Sequence, residues 1–148
     1  MLKTSDTLGS DLRKARRKLI FPPMKKTPRA DARRSNCPIT CSLDLIGDRW
    51  TLVVIRDLFR GLTKYGEFLA GAEGIPTNVL AERLVRLEKA RMITKVPYQE
   101  NPPRYSYQLT ARGRGLAPIV GAVALWGQRN LPGTALDPEL FRTLSAMA

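Results

Sequence analysis

Between positions 76 and 90, the stretch PTNVLAERLVRLEKA sets amide, carboxylate, guanidinium and ammonium groups at helical intervals. Asn78, Glu82, Arg86 and Lys89 follow one another at four, four and three residues, so a helix of 3.6 residues per turn gathers them on one side. Their chemistry is hydrogen bonding rather than bond making. In a major groove Asn suits an adenine edge, Arg a guanine edge and Glu the amino group of cytosine, while Arg and Lys also reach phosphates. Leu80, Leu84 and Leu87 form a core stripe on the opposite side. A solvated outer face is the competing reading, because charged faces are the ordinary partner of buried ones. Glu82 and Arg86, four apart, also have the spacing of an internal pair.

The remaining reactive groups are two thiols. Cys37 and Cys41 stand in a chain that has no His, so neither a Cys/His zinc site nor a Cys-His nucleophile can be assembled. The carboxylates are scattered among basic residues and give no convergent catalytic set. No enzymatic activity, metal or cofactor is expected. Cys37 follows Arg33 and Arg34 at the start of a predicted helix, and both surroundings favour the thiolate, which makes it a candidate redox-sensing residue. The alternative is a small apolar residue packed under the preceding segment, a description that suits Cys41 best.

Several elements must position these groups. From Cys37, the run CPITCSLDLIGDRWTLVVIRDLFRG reads as two helices, with Pro38 in the first turn of one, a break at Gly47, and Asp48 as N-cap of the next. Trp50, Leu52, Val53, Val54, Ile55, Leu58 and Phe59 make the second apolar on most of its circumference, the mark of a central core helix. A short helix begins near Lys64 with Tyr65, Phe68 and Leu69 inward, and Gly71 and Gly74 lie in the turn that follows. The polar-faced helix then runs from Thr77 to about Ala90. Ile93–Tyr98 and Arg104–Leu109 read as strands of a hairpin around QENPP. Helix, turn, helix and hairpin in that order predict a mostly α chain with a small β-hairpin, a winged helix-turn-helix. Arg104, in the wing, suits a minor groove or its phosphates, or is an ordinary solvated hairpin charge.

Thr110 is the expected cap of one long helix reaching about Leu131. Leu116, Ile119, Val120, Val123 and Trp126 exceed what a surface helix needs, and Gly115, Gly121 and Gly127 allow close approach of another helix. A self-association surface and a private core both fit this stripe. The last segment, 132–148, predicts a turn and a short helix around Pro138–Met147, with no function assigned.

The 148 residues suffice for one domain with tails. The net charge of +12 is uneven: residues 1–36 hold eleven Lys or Arg against three acids, so residues 1–35 read as a basic, flexible N-terminal arm. Phosphate attraction through counterion release and a solubilising leader both account for it. Its apolar run, Leu19–Phe21, stops at Pro22 and is too short for a signal peptide or a membrane span, so a cytoplasmic protein is expected.

The ordered motifs CPITCSLDLIGDRWTLVVIRDLFRG, KYGEFL, GIPTNVLAERLVRLEKARMI, YSYQLT and LWG resemble the HxlR-type winged-helix regulators, related in architecture to MarR proteins, over positions 36–131. The resemblance implies a homodimer paired through terminal helices. It also implies a transcriptional repressor or activator that lays the helix from Thr77 to Ala90 in a major groove. A twofold dimer reads an inverted repeat with half-sites roughly 34 Å apart. Thr77, Asn78, Glu82, Arg83 and Arg86 are then expected near bases or phosphates of double-stranded DNA, with Lys64 and Arg104 on the backbone. Some members that sense oxidants or electrophiles use a Cys in the position of Cys37. A small-molecule effector in a hollow near Trp50 or Trp126 is the other regulatory route, and a nonspecific nucleic-acid-binding architectural protein is the alternative function. Pro76 departs from the Ser cap common in the family, and the arm is longer than usual.

Overall fold

The computed structural model describes residues 35–146. The basic arm expected over 1–35 falls, but for Ser35, outside the described residues, as does Met147.

Two helices open the described chain, α1 (Pro38–Ile46) and α2 (Thr51–Phe59). Pro38 starts α1 because its missing N–H is one that a first turn leaves unpaired anyway. At the start of α2, Asp48 Oδ1 accepts the amides of Trp50 at 2.9 Å and Thr51 at 3.0 Å, and Oδ2 bonds the Thr51 hydroxyl. Asp48 thus organises the turn that leads into α2, but the N-cap position expected for it is taken by Trp50, because the helix begins three residues later. Val54, Ile55, Leu58 and Phe59 of α2 are buried at the centre of the core.

The helix-turn-helix follows as α3 (Tyr65–Leu69) and α4 (Thr77–Lys89). Gly74 takes φ +64° in the turn between them, a left-handed conformation that suits glycine. Pro76 precedes α4 in an extended conformation, ψ 142°, and provides no side-chain cap. Leu80, Leu84 and Leu87 are buried against α2, as their spacing requires.

Strands β1 (Ile93–Gln99) and β2 (Arg104–Leu109) form an antiparallel hairpin, with Ile93 opposite Leu109 and an irregularity between Pro97 and Gln99. A bridge between Lys64 and Ser106, with the Tyr107 amide donating to the Thr63 carbonyl at 2.8 Å, ties the wing to the entrance of α3. This is a winged helix.

The single long helix expected after Thr110 is two: α5 (Ala111–Arg114) and α6 (Ala117–Asn130). Pro118 explains the division, since inside a continuous helix it would remove a hydrogen bond and press its ring on the carbonyl one turn back. The chain instead restarts with Pro118 in a first turn. Thr110 does cap α5, its hydroxyl accepting the Gly113 amide at 3.1 Å. Gly113 itself has no room for a side chain: a Cβ there would stand 2.1 Å from the Met92 carbonyl oxygen. Finally α7 (Pro138–Ala146) returns Leu140 and Leu144 to the core, so the terminal segment completes the domain's packing.

Candidate nucleic-acid interface

Burying the leucine stripe turns the other side of α4 to solvent. Thr77, Asn78, Glu82 and Lys89 are exposed there, and so is Val85, at 50%. Sequence reading passed over Val85 because a valine counts as core by type. Its position three residues after Glu82 and four before Lys89 was the available signal.

The two arginines of α4 behave differently. Arg83 has only 15% of its side chain exposed, and its Nε lies 3.2 Å from Asp48 Oδ1. Its Nε and Nη1 are buried without a hydrogen-bond partner, so the contact is an ion pair only. Arg86 is exposed, and its Nη2 donates to the Asp44 carbonyl at the end of α1. The Glu82–Arg86 pair suggested by their spacing is not what forms: Arg86 turns to the Asp44 carbonyl in the last turn of α1, and Glu82 lies 3.8 Å from Arg83 instead.

Lys64 stands at the entrance of α3, bridged to the wing, and Arg104 lies in the wing itself. The Lys64 ammonium sits 5.3 Å from the Tyr98 ring centroid, and Arg104 is exposed at the first position of β2. Glu67 Oε2 accepts the amides of Thr63 at 2.7 Å and Lys64 at 2.9 Å, fixing the entrance to α3. The Lys64 amide first, then that of Thr63, holds the Glu67 carboxyl below the usual carboxylate range. The Tyr65 hydroxyl donates to the Thr77 carbonyl at 2.7 Å. A cleft of about 340 Å³ lined by Tyr65, Tyr98, Arg104 and Tyr105 separates α3 from the wing. The structure thus brings Lys64, Thr77, Asn78, Glu82 and Arg104 to exposed positions around one helix and one hairpin. Arg83 is drawn inward, and Arg86 is held by a backbone carbonyl.

A second exposed surface is apolar. Ile39 and Leu43 of α1, and Ile119, Val123 and Trp126 of α6, are all exposed, Trp126 at 60%. Leu116, Ala117 and Val120 are buried, so the predicted stripe is divided between the core and solvent. Nothing lies within 4 Å of the place a Cβ would take at Gly121.

Cys37 is exposed and Cys41 partly covered. The Thr40 backbone amide, then the Thr40 hydroxyl and the Ile39 amide, push the Cys37 thiol below its ordinary value, as the opening turn of a helix should. Cys41 Sγ donates to the Ser35 carbonyl at 3.0 Å. A cavity of about 560 Å³ lies among Arg56, Asp57, Arg60, Glu73 and Asp137, and neither tryptophan lines it. Its charges are already paired, with Arg56 bonding Asp57 and Glu73, and Arg60 lying 3.3 Å from Asp137. Burial lifts the Asp57 carboxyl above its usual range despite the adjacent Arg56. Among the described residues no cluster of three or more potential metal ligands occurs, and no helix is long and apolar enough to cross a membrane.

The profile of the HxlR-like helix-turn-helix family matches residues 45–135. An uncharacterized HTH-type transcriptional regulator of Mycobacterium tuberculosis, Rv3095, is 38% identical over 101 residues, covering 68% of this chain and 63% of that protein. The chain thus spans less than two thirds of that relative's length. A second uncharacterized HTH-type transcriptional regulator, YvaP of Bacillus subtilis, is 30% identical over 65% of this chain and 89% of its own. Among solved structures, the redox regulator HypR in its oxidized form aligns with TM-score 0.59 and 32% identity, covering 64% of this chain and 97% of that one. The reduced form of the B. subtilis transcriptional regulator YodB aligns with TM-score 0.55 and 25% identity, covering 68% and 100%.

Proposed function

Because the chain belongs to the HxlR-like helix-turn-helix family, we propose that it is a transcriptional regulator, not an enzyme, and that it binds an inverted-repeat operator as a homodimer. The observation that carries this reading is the division of α4 into a buried leucine side and an exposed side of Asn78, Glu82, Val85 and Lys89, with Lys64 and Arg104 exposed at the entrance of α3 and in the wing. In that arrangement α4 enters the major groove. Asn78 and Glu82 face base edges, and Lys64, Lys89 and Arg104 neutralise phosphates. Thr77 meets the backbone at the helix start. Arg86 joins them by exchanging the Asp44 carbonyl for a phosphate or a guanine.

The apolar surface on α1 and α6 supports the dimer. Five exposed large side chains on these two helices are what a symmetric, self-complementary contact would cover. Cys37 starts the helix that contributes Ile39 and Leu43 to that surface, so oxidation of its thiolate would act at the subunit contact. That makes the thiol the regulatory input, in keeping with the redox regulator among the similar structures.

The test is an anisotropy titration of the reduced, full-length protein against a duplex enriched by it from a randomised pool and against a shuffled duplex, at two salt concentrations. A regulator prefers the enriched duplex by about a thousandfold or more. Equal affinity with a steep salt dependence would replace this reading with a nonspecific architectural binder.

A further inference from the structure

Asp48 is the meeting point of three elements. Its Oδ1 accepts the Trp50 and Thr51 amides that open α2 and faces Arg83 of α4 at 3.2 Å, and its Oδ2 bonds the Thr51 hydroxyl. It follows Gly47, the last residue of the α1 terminus, whose Asp44 carbonyl receives Arg86. Two arginines three apart on α4 thus run to the region where α1 gives way to α2, Arg86 to the last turn of α1 and Arg83 to the junction that follows it.

This geometry matters because of what leucine packing leaves free. Leu80, Leu84 and Leu87 form a row along α4 that resists lifting the helix from the core but restrains its roll about its own axis less, since apolar contact is non-directional. A short ion pair on one flank, between a side chain of α4 and a carboxylate whose own hydrogen bonds tie it to the start of α2, supplies the missing restraint. Arg83 lies on that flank, one residue before Leu84.

We propose that Asp48 and Arg83 are positioning residues for DNA reading: the pair fixes the roll of α4, and neither side chain touches DNA. The inference rests on the DNA-binding reading above. It departs from the sequence expectation for Arg83, which placed that side chain at bases or phosphates. Asn78 and Glu82 are aimed by the pair. With 15% and 24% of the two side chains exposed, the pair is only partly buried and adds little net stability, so its contribution is to alignment.

The test uses the full-length protein and the enriched and shuffled duplexes, with Asp48→Asn, Arg83→Gln, the double variant and Arg83→Lys. Asp48→Asn keeps an oxygen for the α2 amides, so the fold survives in at least one variant, as circular dichroism will verify. Each single loss lowers the preference for the enriched duplex by about tenfold, and the double variant is no worse than either single one, because both remove the same link. Arg83→Lys restores much of the preference. The slope of log affinity against log salt stays at the wild-type value. A slope reduced by about 0.9 in Arg83→Gln would make Arg83 a phosphate contact and overturn the proposal, as would additive losses.

Hydrogen exchange of the DNA-free protein separates this outcome from failure of the DNA reading. The amides of α4 exchange faster in Asp48→Asn and Arg83→Gln if the pair restrains the helix. Unchanged protection overturns the restraint whatever the protein binds. A wild type indifferent to sequence overturns the aiming role together with the regulator reading, and leaves the exchange result to decide the restraint alone.

Discussion

The Tyr65 hydroxyl donates to the Thr77 carbonyl at 2.7 Å, so the first helix of the helix-turn-helix holds the second by its opening turn. Tyr65→Phe deletes that bond and little else. We expect a loss of about 1 kcal/mol in thermal or urea unfolding. The loss in affinity should be larger for the enriched duplex than for the shuffled one, since the bond orients the residues that face bases.

Val85 is an apolar side chain among polar ones on the exposed side of α4, the side proposed to face DNA. Its natural counterpart in a major groove is the thymine methyl group. Replacing one thymine of each half-site by uracil should weaken wild-type binding by about 0.8 kcal/mol, roughly fourfold, for each half-site changed. Val85→Ser should bind both duplexes alike. Equal sensitivity of the two proteins at every thymine would remove Val85 from the interface.

Thiol alkylation followed over pH reports on Cys37. With the Thr40 amide and hydroxyl favouring the thiolate, half-maximal reactivity should come below the ordinary thiol value of about 8.5. Thr40→Val retains the amide and removes the hydroxyl, so its profile should move partway back up. A profile unmoved by Thr40→Val would assign the shift to the amides alone.

Placing a charge in the apolar surface tests the dimer. Val123→Asp should convert a sedimenting dimer into a monomer while leaving the far-ultraviolet dichroism intact, because Val123 is 54% exposed and contributes little to its own subunit's core. Operator affinity should fall with it, since each half-site then binds alone.

Acid should act through Asp48. Burial works to raise its carboxyl, but the Thr51 hydroxyl, the Trp50 and Thr51 amides and Arg83 together hold it below the usual range. A depressed carboxyl stabilises the fold fully above its unfolded value, about 3.9, and this contribution disappears as pH falls through the lower folded value. The stability difference between wild type and Asp48→Asn should therefore be largest near neutrality and shrink below about pH 4.

The fold was legible because its signals are local and periodic. The leucines of α4, Pro38, Gly74, the Thr110 cap and the two strand runs each name an element through its own backbone requirements. The helix expected after Thr110 divides because Pro118 restarts the chain at Ala117, whereas the spacing of Leu116, Val120 and Val123, all on the far side of the break, carries no sign of it. The interface was legible only in part. Asn78 and Glu82 are exposed as their spacing implies, whereas Arg83 is claimed by Asp48 and Arg86 by the Asp44 carbonyl, both far earlier in the chain and outside α4. A long side chain can reach around a helix, so its destination depends on tertiary neighbours that periodicity does not encode. Val85 shows the converse, a core-type residue on the outside.

Gly113 gives the molecule a lever. With the Met92 carbonyl where a side chain would be, and the Thr110 hydroxyl bonded to the Arg91 and Met92 carbonyls, the start of α5 is clamped to the junction of α4 and β1. Slack at that joint would let the terminal helices turn without moving the wing. Clamped, a rotation of α5 is handed on to reading helix and hairpin as a single arm. In the proposed dimer, a few degrees of swivel at the subunit contact would become a change in the span between two such arms, the quantity that half-site spacing measures.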